Sequence, residues 1–276
     1  MNHGVLREPG KTHYRSIFLS DIHLGTKGCQ AERLAHFLKH HTCERLYLVG
    51  DIIDGWRMRS SIYWPQAHIN VLRRFLTLAK RGTEVIYVTG NHDEFLRKYS
   101  PLTVGNVHLV DEAVHVTATG KRLLVVHGDE YDVVTRYHRW VAFLGDAGYT
   151  GLLELNRHLN SLRSRFGYGY WSLSAWIKYR VKRAVSFIGD YEQALIHQCR
   201  KTGYDGVVCG HIHHAEIRDL EGTTYMNCGD WVESCTALVE DEHGQFAIVH
   251  WKAPAGAGNV VAMHAGQEQE QERLRA

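Results

Sequence analysis

No apolar run in the sequence approaches the roughly 20 residues a membrane-spanning helix needs, so any membrane contact would be peripheral. Close cysteine pairs are missing as well. Cys29, Cys43, Cys199, Cys209, Cys228 and Cys235 are scattered without a CxxC, and the N-terminus carries no apolar secretion segment, so a reducing cytoplasm is the expected compartment. There is no marked charge imbalance. Lys+Arg 32 against Asp+Glu 30 leaves +2, which points to neither nucleic acid nor membrane as a partner of the whole chain. Internal repeats are also absent. The 276 residues suit one large domain, or one domain carrying an insertion, with a substantial core.

What the chain does have is 20 histidines, most of them necessarily ordinary, and a local concentration of positive charge. Residues 131–190 hold nine Lys/Arg and four Asp/Glu, a surplus of five against +2 for the whole chain. Residues 1–15 are polar and punctuated by Gly and Pro and read as a loose lead-in. Structure is expected from Ser16-Ile17-Phe18-Leu19, a buried strand followed at once by Asp21 and His23, and then a helix over Gln30 to His41. A second strand, Leu46 to Val49, ends on Gly50-Asp51-Ile52-Ile53-Asp54. A helix over about Gln66 to Arg81 has an apolar stripe of Ile69, Leu72, Phe75, Leu76 and Ala79. Val85 to Val88 runs into Gly90-Asn91-His92-Asp93, and two shorter strands, Val107 to Val110 and Ala113 to Thr117, precede Leu123 to Val126 and His127-Gly128-Asp129. A helical, aromatic-rich stretch over about 131–190 interrupts the rhythm. It resumes at Gly206 to Cys209 with Gly210-His211-Ile212-His213 and closes with strands at Thr224 to Met226, Thr236 to Val239 and Phe246 to His250. Residues 253–276 read as a solvated, disordered tail, which leaves 16–252 as the folded domain.

Strands that alternate with helices and end on polar residues are the pattern of an α/β sheet with its site at the carboxyl ends. Residues two apart in extended chain face the same way, so Asp21 and His23 can grip one ion. A lone DxH or HxH is usually a surface or core pair. Five elements in the order DxH, GDxxD, GNHD, HGD and GHxH, each after a β-like run, are not. Carboxylate and imidazole donors without thiolate suit Mn²⁺, Fe²⁺ or Zn²⁺, and a carboxylate such as Asp51 is the residue type that bridges two cations.

These five motifs, spanning residues 21 to 213, resemble the calcineurin-like metallophosphoesterases. The resemblance implies a four-layer αββα sandwich with a helical lid insertion and a two-metal centre. Asp21, His23, Asp51 and His213 would hold one ion, and Asp51, Asn91, His127 and His211 the other. His92 would be a non-ligand group that stabilises or protonates the leaving oxygen, with Asp93 orienting it. Asn91, His92 and His211 would also meet the substrate, and Asp54 would stand behind the ligands or act as a turn carboxylate.

Within that family the chain is most similar to the UDP-2,3-diacylglucosamine diphosphatases of lipid A biosynthesis. The likeness lies in its size, in Gly50-Asp51-Ile52-Ile53-Asp54-Gly55-Trp56, in the insertion after His127-Gly128-Asp129 and in Gly229-Asp230-Trp231. This implies hydrolysis of a lipid-linked nucleotide pyrophosphate to a lipid sugar phosphate and UMP, with Mn²⁺, at the cytoplasmic face of the inner membrane. The chain departs at His92, where the best-known members carry Arg, and this leaves open a phosphodiesterase or phosphatase acting on another nucleotide or phospho-lipid. A non-catalytic metal-binding scaffold is the reading from another class. It predicts eroded ligands, whereas all seven are present. In the insertion, Trp171 to Phe187 reads as a basic amphipathic helix that either contacts acyl chains or bilayer or packs as a plain lid. Arg136 and Arg139 are candidates for the substrate phosphates, or surface arginines without a role.

Overall fold

Apolar runs buried on both sides and joined by amphipathic helices build the first half of the chain: β1 (Thr12–Leu19), α1 (Ala31–His40), β2 (His41–Val49), α2 (Gly55–Met58), α3 (Gln66–Lys80) and β3 (Glu84–Val88). β4 (Leu102–Val104), β5 (Val107–Val110), β6 (Ala113–Val116) and β7 (Arg122–Val125) follow. The second half comprises α4 (Leu173–Thr202), β8 (Gly206–Cys209), β9 (Glu216–Leu220), β10 (Thr223–Asn227), β11 (Thr236–Glu240), β12 (Phe246–His250) and β13 (Ala262–His264). The computed structural model describes residues 10–131, 173–252 and 262–264, with backbone alone at 173–187 and 262–264. The chain divides into two units, Met1–Asp129 with Leu195–Ala276, and Glu130–Ala194. The described part of the second unit is largely α4.

The strands form an eight-stranded sheet, β13-β12-β11-β1-β2-β3-β5-β4, and a five-stranded sheet, β6-β7-β8-β10-β9. Period-two alternation decides which way each side chain faces. Ile17, Leu19, Leu46, Leu48 and Val85 pack with Leu34 and Phe37 of α1 and Val71, Phe75 and Leu78 of α3. Their neighbours Phe18, Tyr47, Val49, Ile86 and Val88 join Leu123, Val125, Val208 and Met226 between the sheets. Past Leu195, α4 adds the outer layer of the smaller sheet: the Cys199 thiol donates to Gly206 O, and the Arg200 guanidinium reaches Leu220 O and Thr223 Oγ1. The result is the expected four-layer αββα arrangement. A buried polar network also ties the two sheets together. Glu240 accepts from Arg15 at 2.9 Å, lies 2.8 Å from His115 Nε2 and accepts from Ala118 N, while the Tyr47 hydroxyl meets His115 Nδ1 at 3.0 Å.

Three boundaries differ from the sequence reading. β1 begins inside the 1–15 lead-in, because β2 starts as early as His41 and offers parallel partners from Thr12 onward, with His13 Nδ1 against Thr42 Oγ1. α3 turns His68 inward and leaves Ile69 and Leu76 exposed, because His68 Nδ1 accepts the Gly25 N–H and so is satisfied when buried. Within the stretch read as a tail, Ala262–His264 pairs with the free edge of β12. The short elements α2, β4 and β9, of three to five residues, were not apparent in the sequence. Arg136 and Arg139 lie outside the described residues, as do the side chains of the basic stripe at Trp171 to Phe187. Among the described residues no helix is long and apolar enough to cross a membrane, and all six cysteines are free thiols.

Candidate metal centre

β1, β2, β3, β7 and β8 all release the chain at the same end of the sandwich, and the two loops after β1 and β2 zip together there. Asp21 N donates to Gly50 O, His23 N to Asp51 O, and Asp54 N to Leu24 O. Asp21, His23, Asp51, His211 and His213 all sit at positive φ, between 50° and 71°. Left-handed backbone at a non-glycine residue costs on the order of 1–3 kcal/mol and clusters where geometry serves function. Only two other described non-glycine residues, Glu221 and Cys235, share it. Glycine is required at two places: a Cβ on Gly50 would collide with the His127 ring, and one on Gly90 with Asp51 Oδ1 and N.

Three clusters of metal-type donors result, each with its atoms within 4.8 Å of one another: Asp21 with His23 and His213, Asp51 with His127 and His211, and His23 with Asp54 and His92. In the first, Asp21 Oδ1 lies 3.1 Å from His213 Nε2 and 3.8 Å from His23 Nε2. Its other oxygen is occupied by the His211 N–H and the Ser20 hydroxyl. In the second, His127 Nδ1–H donates to Val49 O, and Nε2 lies 3.4 Å from Asp51 Oδ2 and 3.2 Å from Asn91 Oδ1. Asp51 Oδ2 is also 3.9 Å from His23 Nε2, so this carboxylate stands between the two clusters.

The donors suit cations. Asp21 Oδ1 and His23 Nε2 are buried without a hydrogen-bond partner, an arrangement that costs free energy unless something positive satisfies them. Donors sharing one ion at ordinary Zn-type bond lengths lie about 3 to 4 Å apart, as these do. The far nitrogens are anchored: His127 Nδ1 on a backbone carbonyl and His23 Nδ1 on Asp54 Oδ2 at 3.3 Å, which aims both Nε2 atoms inward.

Asp54 does more than cap α2 through Arg57 N. Its Oδ2 is 3.1 Å from His92 Nδ1 as well as 3.3 Å from His23 Nδ1. Asp93, expected to orient His92, instead accepts from Gly90 N, Ile52 N and the Tyr87 hydroxyl and is fully buried beneath the loop. Its adjacency to His92 in sequence is misleading because the chain turns between them. Trp56 is the neighbour that sequence reasoning passed over, its ring 4.2 Å from that of His92. The signal was present in the motif Gly50 to Trp56 but carried no assigned role.

Electrostatics follow from crowding. Burial pushes the carboxyls of Asp21, Asp51 and Asp54 up, but nearby imidazoles outweigh it and hold all three below the usual range: His213 for Asp21, His127 for Asp51, His23 and His92 for Asp54. Burial pulls His127, His213 and His92 down, and the same carboxylates overcome it, so all three imidazoles are raised. Asp93 is raised, first by burial and then by the Asp51 charge. Clustered carboxylates thus favour positive charge beside them, and divalent ions bound by these donors would supply it.

The chain is 28% identical to the UDP-2,3-diacylglucosamine hydrolase of Blochmanniella pennsylvanica over 41% of its own length and 46% of that relative, so the match spans less than half of that protein. With the protein of the same name from Neisseria gonorrhoeae it shares 27% identity over 78% of this chain and 89% of that one. A solved structure of Vps29 from Entamoeba histolytica aligns at TM-score 0.46 and 13% identity, over 90% of this chain and 98% of that one. The calcineurin-like phosphoesterase profile matches residues 14–215, well over half of the sequence, and the chain belongs to that family.

Proposed function

We propose that the protein is a metal-dependent phosphoester hydrolase that holds two divalent cations, Mn²⁺ foremost, one at Asp21, His23, Asp51 and His213 and the other at Asp51, Asn91, His127 and His211. The observation that carries this reading is the pair of donor clusters meeting at Asp51, with the buried Asp21 Oδ1 and His23 Nε2 facing only the other metal-type donors and making no ordinary hydrogen bond. Bound there, the cations supply Lewis acidity and charge for in-line displacement at phosphorus. Asp51 is held for its bridging place by the His92 N–H at 2.8 Å on Oδ1. His92 is the general acid. Its Nε2 lies 3.8 Å from Asp51 Oδ2 and its Nδ1 against Asp54, and although burial disfavours the imidazolium, Asp54 and Asp51 raise its pKa and so favour the proton it would give to the leaving oxygen.

The substrate we favour is UDP-2,3-diacylglucosamine, cut at its pyrophosphate to a lipid sugar phosphate and UMP. The names of the relatives and the motif Gly50 to Trp56 support this. Peripheral contact with an inner-membrane surface belongs to the same reading. Because His92 replaces the Arg of the best-known members, another nucleotide or phospho-lipid ester is the competing substrate.

The test is to incubate purified protein and Mn²⁺ with UDP-2,3-diacylglucosamine beside bis(p-nitrophenyl) phosphate. Release of UMP supports the favoured substrate, and turnover of the soluble diester alone rejects it. Metal analysis should find close to two ions per chain, and Asp51→Ala should lose both metal and turnover. A folded wild type that binds no transition metal would reject the hydrolase reading itself.

A further inference from the structure

The groove between α1 and α3 lies outside the metal centre. It contains two cavities, of about 590 Å³ and 460 Å³, that share Glu32 and His36 in their walls. Lys27 and Arg33 line the first; Lys39, Arg73 and Arg74 line the second. Among the described residues none of these five cations pairs with a carboxylate, and Glu32 is the one acidic residue in either wall. The closest contacts of the first pair are weak, Lys27 with the Tyr63 ring at 5.9 Å and Arg33 with Cys235 Sγ at 3.8 Å.

Protein surfaces ordinarily intersperse charges of both signs, because like charges crowded in a concavity repel and a low-dielectric wall focuses their field. The groove reports that field on its own groups. The His36 imidazole, in the wall of both cavities, is held below its usual value by burial, then by His40 and Lys39. His36 Nδ1 is also buried without a hydrogen-bond partner. Volumes of this size suit a small molecule rather than a flat bilayer or a nucleic-acid backbone. The first cavity begins at Thr26, whose N–H and hydroxyl both bond His23 O, so it lies beside the loop that carries Asp21 and His23.

We propose that the α1–α3 groove is an anion-binding site for a small soluble ligand bearing two or more phosphate charges, separate from the metal centre. The inference does not depend on the hydrolase reading. Two chemistries could supply such phosphates, a soluble bisphosphate or a phospholipid headgroup, and the cavities favour the first.

The experiment titrates the full chain, loaded with Mn²⁺, with fructose 1,6-bisphosphate by calorimetry. That probe's separated monoesters do not strip metal as pyrophosphate would. Wild type should bind it. Arg73→Glu/Arg74→Glu and, as a milder pair, Arg73→Gln/Arg74→Gln should weaken binding, by about tenfold for the charge reversal, with raised salt acting in the same direction. Manganese content, melting temperature and turnover of a soluble diester should stay at wild-type values. The proposal is overturned if wild type does not bind, if both double variants bind as wild type does, or if phosphatidylglycerol vesicles bind while the bisphosphate does not. Loss of diester turnover in the wild type would count against the hydrolase reading and leave the groove untouched.

Discussion

Replacing Asp54 with Asn tests whether one carboxylate positions both the general acid and a metal ligand. Asp54 Oδ1 accepts the Arg57 N–H at 2.8 Å, while Oδ2 faces His23 Nδ1 at 3.3 Å and His92 Nδ1 at 3.1 Å. Asn has one oxygen. If that oxygen keeps the cap of α2, the amide NH₂ points at two ring nitrogens that both need an acceptor, so at least one imidazole must change tautomer. A changed His23 would present N–H to the metal, and a changed His92 would lose the counter-charge that raises its pKa. Loss of such an outer partner costs about 10–100-fold, which corresponds to about 1.4–2.7 kcal/mol in barrier height. The expected result with bis(p-nitrophenyl) phosphate at saturating Mn²⁺ is a fall in kcat of that size, a KM close to wild type and nearly full metal content. Asp93→Asn is the contrast. It disturbs the acceptor of Gly90 N, Ile52 N and the Tyr87 hydroxyl, and should lower the melting temperature more than it lowers kcat. Wild-type kcat in Asp54→Asn, with a folded Asp93→Asn that is catalytically dead, would refute the assignment and return the orienting role to Asp93.

Gly90→Ala should damage the second cation site, because its Cβ would overlap Asp51 Oδ1 and N and come within 2.9 Å of His127 Cδ2. Metal analysis should then find about one ion per chain, and two retained ions would show that the loop can yield. Glu240 contributes to acid stability. Burial acts to raise its pKa, but His115, the Ala118 N–H and Arg15 lower it below the ordinary 4.5, so its contribution is complete above that value and lost as pH falls through the folded value beneath it. Glu240→Gln leaves Arg15 without its counter-charge, a loss of about 3 kcal/mol, or roughly 6–12 °C in Tm at pH 7. The variant's Tm should also fall less steeply than wild type as pH drops below the ordinary carboxylate value. Parallel curves for the two proteins would show that Glu240 is not the titrating group.

The candidate strand-end ligands were legible because each follows a run buried on both faces, and burial on both faces demands continuous apolar sequence that stops where the chain meets water. Leu46 to Val49 before Asp51 and Gly206 to Cys209 before His211 are such runs. The polar start of β1 was not legible, since Thr12–Arg15 becomes strand only because β2 offers it a partner. The inward turn of His68 was hidden for a related reason: its acceptor role depends on Gly25, 43 residues away.

The order and spacing of motifs in the chain alone therefore specified the α/β class, the seven candidate donors and the centrality of Asp51. Tertiary structure decided which carboxylate serves His92. Asp93 is next to it in sequence, yet its carboxylate faces Ile52 N, while Asp54, 38 residues earlier, lies against the ring. It also decided that five donors leave their strands in left-handed backbone and that a basic groove opens between α1 and α3. A sequence records which side chains can bind an ion or carry a charge. Which of them meet depends on long-range backbone hydrogen bonds, and those exist only once the two loops have zipped together.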